Sequence, residues 1–271
     1  MNGASREALA AARERLDALT DNTSVDAAAL AGELASVTAL LHREGTLRRA
    51  LTDPGQPGEA KAALVGQLLG DRLGADSIDL VTGMVRARWS QPRDLVDSLE
   101  QLADTADLVA AERAGGLDDV EDELFRFGRI AASSSELRAA LADRVADNRA
   151  KSALLGTLLG GRVNPVTERL VIRLVTEPRG RSLESGIESL SKLAAARRGR
   201  TVAEVVSAVP LSDRQKQRLG AALARIYGRQ VHLNLDIDPE VLGGVRVRVG
   251  DEVINGSVAD RLDEAARRMA G

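Results

Sequence analysis

The chain of 271 residues contains no cysteine, which excludes disulfide bonds, thiolate nucleophiles and Cys-ligated metals. Histidine is almost as scarce. His42 and His232 are the only two, too few and too far apart for a His-based metal site. Aromatic side chains are also rare, with one Trp, one Tyr and two Phe, so packing falls to Leu, Ala and Val. Alanine and leucine favour helix over sheet, and the expected class is mainly α. No apolar run approaches the roughly 18 residues that a membrane-spanning helix needs. The N-terminal stretch MNGASREALAAARERLDAL has no apolar signal core. The expectation is a soluble cytoplasmic protein that meets a membrane only through partners. A basic excess is missing too. The net charge is −3, which argues against nucleic acid as a main partner.

What is present is self-similarity. Leu47–Val85 laid over Leu137–Val175, an offset of 90 residues, gives 17 identities in 39 ungapped positions. The run KAALVGQLLG against KSALLGTLLG carries more than a shared taste for alanine and leucine. The sequence therefore predicts an internal duplication of a unit of nearly 80 residues, about Val25–Asp104 and Gly115–Ala195, too long for a short-repeat solenoid. Within each unit the apolar residues recur at helical spacing. Leu64, Leu68 and Leu69 share a face, as do Leu154, Leu158 and Leu159, and Leu95, Leu99 and Leu102 form another stripe. Turn-forming residues break the pattern at Thr52–Glu59, Ser90–Arg93 and Glu177–Arg181.

The character changes after Arg200. Thr201–Val209 is β-branched and ends at Pro210. Ser212 and Gln215 form a capping box that opens a helix through Leu219, Leu223 and Ile226. Gln230–Ile237 and Gly244–Gly250 alternate as strands, and Ser257 caps a last helix. The reading is two related multi-helix bundle units, residues 1–110 and 111–199, followed by a small α+β domain of order β-α-β-β-α over 200–271.

Chemistry is sparse. Glycines in LGGVRVRVGDEVINGSV invite a phosphate-loop reading, but neither the Walker spacing nor the dinucleotide fingerprint occurs. The glycines flank a strand that turns Val245, Val247 and Val249 one way and Arg246 and Arg248 the other, with Asn255-Gly256 as turn chemistry. Arg197, Arg198 and Arg200 could contact nucleic acid, yet cations at a helix C-terminus are the simpler account. Lys61 and Lys151 recur at matched positions and read as solvated helix lysines. No nucleophile–base constellation, cofactor loop or metal-ligand set is found, so the expectation is a non-catalytic protein with no cofactor.

The segments VSAVPLSDRQKQRL, IDPEVLGGVRVRVGDEVINGSVADRL and LRAAL…RAKSALLGTLLG together resemble the delta subunit of F-type ATP synthases, the family of the mitochondrial oligomycin-sensitivity-conferring protein. The tail carries the specific features: Asp238-Pro239, Leu242-Gly243-Gly244-Val245, Arg248-Val249-Gly250-Asp251, Ile254 and Ser257. The resemblance runs from about Gly115 to the end. Many members have Asp where this chain has Asn255, and about 90 residues are extra, which the duplication accounts for.

The resemblance implies a stator connector. Its helical bundle would receive the N-terminal helix of an alpha subunit and its tail would meet the b subunits of the peripheral stalk, one copy per complex, at the cytoplasmic face of the cell membrane. Candidate partner-facing residues are Leu80, Val81 and Met84, their counterparts Leu170, Leu174 and Val175, and the strand residues Arg246 and Arg248. For the six apolar positions a core role is the competing reading. A helical nucleic-acid-binding regulator using the Arg-rich segment is the alternative function.

Overall fold

A computed structural model describes residues 2–143, 145–198, 201–227, 231–238, 244–249 and 252–255. The helix expected from Ser257, and Pro239, Leu242, Gly243, Gly250 and Asp251 of the tail motif, lie outside the described residues. The chain forms two compact units, residues 1–20 with 24–197, and residues 21–23 with 198–271.

The first unit is helical: α1 (Gly3–Asp21), α2 (Ala27–Arg43), α3 (Gly45–Thr52), α4 (Gly58–Leu69), α5 (Ala75–Arg86), α6 (Pro92–Arg113), α7 (Leu117–Ser133), α8 (Ser135–Ala142), α9 (Asn148–Leu159), α10 (Pro165–Thr176) and α11 (Leu183–Arg198). Local chemistry sets several of these starts. Asp26 accepts hydrogen bonds from the Ala28 and Ala29 N–H groups at the head of α2. Ser134, Asp147 and Asn164 cap α8, α9 and α10 in the same manner. Pro92 and Pro165 occupy first-turn positions, where a missing N–H costs nothing. The three expected breaks fall between α3 and α4, α5 and α6, and α10 and α11. The bounds of α7, α8, α9 and α10 each lie 90 residues after those of α2, α3, α4 and α5.

Helix α6 organises the unit. Leu95, Val96, Leu99, Leu102, Ala103 and Ala106 enter a core shared with α1–α5, and Leu108 and Ala111 enter a second core shared with α7–α11. At its start, Ser5 on α1 donates to Asp94 (2.7 Å) and accepts from the Ser90 N–H (2.8 Å). At its end, the Arg113 guanidinium donates to the carbonyls of Val25 (2.5 Å) and Thr20 (2.6 Å), satisfying acceptors around the α1–α2 turn.

The second unit contains β1 (Thr201–Ser207), α12 (Asp213–Tyr227), β2 (Val231–Ile237), β3 (Val245–Val249) and β4 (Glu252–Asn255). Strands β1, β3 and β4 are antiparallel neighbours, and β2 adds parallel to the outer side of β1, in the order β2-β1-β3-β4. One half of the expected capping box is present: the Ser212 N–H and hydroxyl both donate to Gln215 Oε1 (2.9 and 2.7 Å). Ala203, Val205, Leu223, Leu233, Val247 and Val249 form the core. One expectation needs correction: a fourth strand follows β3, and Asn255, its last residue, pairs opposite Arg246, while Gly256, its partner in the expected turn, lies outside the described residues. Val253 and Ile254 are β-branched, and Ile254 packs on the core, which favours pairing with β3. Helix α12 runs through Leu219, Leu223 and Ile226 as expected, with Ile226 exposed.

Candidate binding surfaces

The apolar candidates are all interior. Leu80, Val81 and Met84 on α5 lie in the first core, and Leu170, Leu174 and Val175 on α10 lie in the second. Of the two readings given to them, the structure places all six as packing residues, because each helix turns its most apolar stripe inward. Arg246 and Arg248 are exposed on β3, on the side away from Val247 and Val249. His232 falls within β2, with its side chain outside the described residues.

Lys61 and Lys151 are more enclosed than expected, each only 6% exposed. Burial lowers the Lys61 pKa, while the Asp53 carboxylate acts in the opposite direction. The basic segment also changes character. Arg197 is buried at the end of α11, where its Nε (2.7 Å) and Nη2 (2.6 Å) reach Glu112 on α6 and its Nη1 lies 3.7 Å from Asp17 on α1. A guanidinium so enclosed is withdrawn from nucleic-acid phosphate.

The most concentrated electrostatics lie along α6, where Glu100, Asp104 and Asp107 are buried one turn apart. Arg169 donates from Nε and Nη2 to Asp107 (2.9 and 2.7 Å). Arg173 donates to Asp104 (3.1 and 2.8 Å) and to the other oxygen of Asp107 (2.7 Å). Arg179 and Arg181, in the α10–α11 turn, both bond Glu100, Arg181 at 2.6 Å. Burial raises the Asp104 carboxyl to about 6, against the opposing pull of Arg173. Burial lowers the Arg173 pKa, but the charges of Asp104 and Asp107 outweigh it and the net shift is upward. Such pairs fix geometry more than they add stability, since desolvation consumes most of the attraction. The sequence signal was available and unused: acids at 100, 104 and 107 share a helix face, as do arginines at 169 and 173.

A groove of about 860 Å³ opens between the end of α2 and the α8–α11 side of the unit. His42 and Arg43 stand on one wall. Arg138, Lys151, Leu174 and Leu183 belong to the other. Asn148 closes one side by donating from Nδ2 to the Thr176 carbonyl (3.0 Å). Among the described residues no group of His, Asp or Glu is placed to hold a metal ion, and no helix is long and apolar enough to cross a membrane.

Helices joined through one shared helix, a groove on their side and a small sheet unit make a scaffold. The chain belongs to the ATP synthase delta (OSCP) subunit family, whose model matches residues 105–269. It is 73% identical to ATP synthase subunit delta of Streptomyces griseus over the full length of both chains. It is 50% identical to that of Frankia alni, covering 99% of each chain, and 48% identical to that of Thermobifida fusca over both whole chains. It is a structural subunit of an ATP synthase and not a catalytic one. The family match begins inside α6, while these relatives align from end to end, so residues ahead of the match are common to them.

Proposed function

We propose that this chain is the connector of the peripheral stalk, holding the catalytic head through the N-terminal helices of alpha subunits and meeting the b subunits through its sheet unit. The observation that carries the reading is full-length similarity to ATP synthase delta subunits together with a helical unit welded through α6. A stator must resist rotor torque without bending. One helix built into two cores, with its acids clasped by four arginines, gives a stiff body for that task. The protein acts at the cytoplasmic face of the membrane, one copy per complex, and touches the bilayer only through its partners.

The helical part is proposed to be a duplication. Four helices recur at a constant offset of 90 residues, and the family match covers only the later set and the tail. The gain lies in lifetime. A single nanomolar interface, about 12 kcal/mol, with a typical association rate dissociates in minutes. A second bundle adds a contact made at the same time, which lengthens attachment by avidity. Recognition is helix-in-groove, with Leu174 at the border of an open groove and Arg246 and Arg248 offered to an acidic stalk surface. Leu174 and Val175 border that groove, while Leu80, Val81, Met84 and Leu170 pack within the helical cores behind the proposed surfaces.

The test is calorimetric titration of the full chain with a peptide of the alpha N-terminus and with the soluble part of b. Saturable binding to both is expected, and binding to neither overturns the connector reading. A nucleic-acid regulator predicts strongly salt-dependent binding to RNA or DNA in the same assay. The burial of Arg197 weighs against it.

A further inference from the structure

The clasp between α6 and the α10–α11 side carries more positive charge than its acids neutralise. Four guanidiniums, of Arg169, Arg173, Arg179 and Arg181, meet three carboxylates, of Glu100, Asp104 and Asp107. The crowding is greatest at the α10–α11 turn, where Arg179 and Arg181 both donate to the same oxygen of Glu100. Their other donors are not all used. Arg179 Nη1 and Arg181 Nε are buried and have no hydrogen-bond partner among the described residues. The Arg179 side chain is only 2% exposed, so bulk water does not serve it. Leaving a buried donor of a charged group unmatched is costly. The turn nevertheless keeps Arg179 inward at φ 47°, in a left-handed conformation that non-glycine residues rarely adopt. Arg93 on α6 holds that conformation by donating from Nη2 to the Arg179 carbonyl (2.6 Å).

Arg181 also lines a small cavity of about 20 Å³, together with Glu100, Asp104, Arg173, Leu170 and Leu190. That space takes one water molecule or one monatomic ion, and it is too small for phosphate or sulfate. Both carboxylates on its wall are already matched, Glu100 by two guanidiniums and Asp104 by Arg173. Water would accept from the open donor but bring no charge. A small anion does both, and the surplus here is positive.

We propose that the clasp between α6 and the α10–α11 turn is a binding site for a single anion of halide size, such as chloride, which accepts a hydrogen bond from Arg181 Nε. The inference goes beyond the connector role and does not depend on it. The bound ion offsets the charge that Arg179 and Arg181 share over one carboxylate oxygen, and it ties the turn to the helix that joins the two cores. The joint is therefore firmer in chloride than in a solution of larger anions.

The experiment is urea unfolding of the full-length protein at constant ionic strength, in sodium gluconate with rising proportions of sodium chloride or sodium bromide. Gluconate is too large for the cavity. Saturable stabilisation by both halides is expected. For a dissociation constant of about 10 mM, about 200 mM chloride raises the folded-to-unfolded ratio about twentyfold. Arg181→Met removes the donor and the surplus charge, and is expected to abolish the halide effect. Arg43→Gln removes an exposed cation that lines the neighbouring groove but not the cavity, and is expected to retain it. Crystals of the native protein grown in sodium bromide are expected to show an anomalous bromide peak within hydrogen-bond distance of Arg181 Nε. That map decides the matter if Arg181→Met fails to fold. The proposal is overturned by equal stability in gluconate and halide, by a halide effect that survives Arg181→Met or vanishes in Arg43→Gln, or by a bromide map with no peak at Arg181, the result expected if water fills the cavity.

Discussion

Asp104 carries the clearest residue-scale consequence. Burial raises its carboxyl from an ordinary 3.8 to about 6 in the folded chain, although Arg173 opposes the shift. The folded protein therefore holds this proton more tightly than the unfolded chain does. Stability from this group is fully present below pH 3.8, declines as pH rises, and is gone above about 6. Between pH 5 and pH 7.5 the loss amounts to about 1.4 kcal/mol, one decade of proton affinity. Asp104→Asn cannot ionise and removes that component. Urea unfolding at the two pH values should show the stability of Asp104→Asn, relative to the native chain, improving by about that amount at pH 7.5. A relative stability that is flat between pH 5 and 7.5, or that moves the other way, would contradict the assignment.

At the scale of elements the decisive piece is α6. Its stripe of Leu95, Leu99 and Leu102 was legible from helical spacing, as were the breaks on either side and the capping box of α12. What was not legible is that the helix belongs to two cores at once. Periodicity reports that a face is apolar, not which neighbours cover it, and it does not say that Arg169, Arg173, Arg179 and Arg181 are brought against the acids at 100, 104 and 107 from up to 81 residues away. Leu80 and Leu170 have the composition of an interface anchor, and only burial separates that role from packing. Lys61 and Lys151 look solvated in sequence because a long stem hides its cost.

The shared helix makes a specific demand. Ala106 is fully buried, the last α6 residue in the first core, two positions before Leu108 in the second. Ala106→Pro removes one helical hydrogen bond and forces the preceding turn apart, at a cost of about 3 kcal/mol or more. Because both cores need the same helix, protection of α2 amides and of α10 amides should fall together in hydrogen exchange. Loss confined to one set would show that α6 is two segments that happen to abut.

For the molecule as a whole the question is whether its helical sets behave as separable parts. The sequence alone suggests that deleting about Val25–Asp104 leaves a folded protein. The structure changes that expectation. Such a deletion removes Glu100 and Asp104, stranding Arg179 and Arg181 and leaving Arg173 only Asp107, and it cuts α6 after Asp104. Deleting residues 1–91 spares α6 but uncovers Leu95, Leu99 and Leu102, an apolar stripe that calls for another partner. The native chain offers a direct measurement of the same coupling. Trp89 is the single tryptophan; it is 5% exposed and donates from Nε1 to the Met84 carbonyl (2.8 Å), so its emission reports the first core. Amide exchange along α10 reports the second. If α6 joins the sets into one cooperative unit, the urea dependence of the slowest α10 amides should extrapolate to the same free energy as the Trp89 transition. The connector role proposed above needs that coincidence, since a set that opened alone would act as a hinge when rotor torque is resisted. Two separate free energies would argue for a flexible tandem whose second bundle contributes avidity without stiffness.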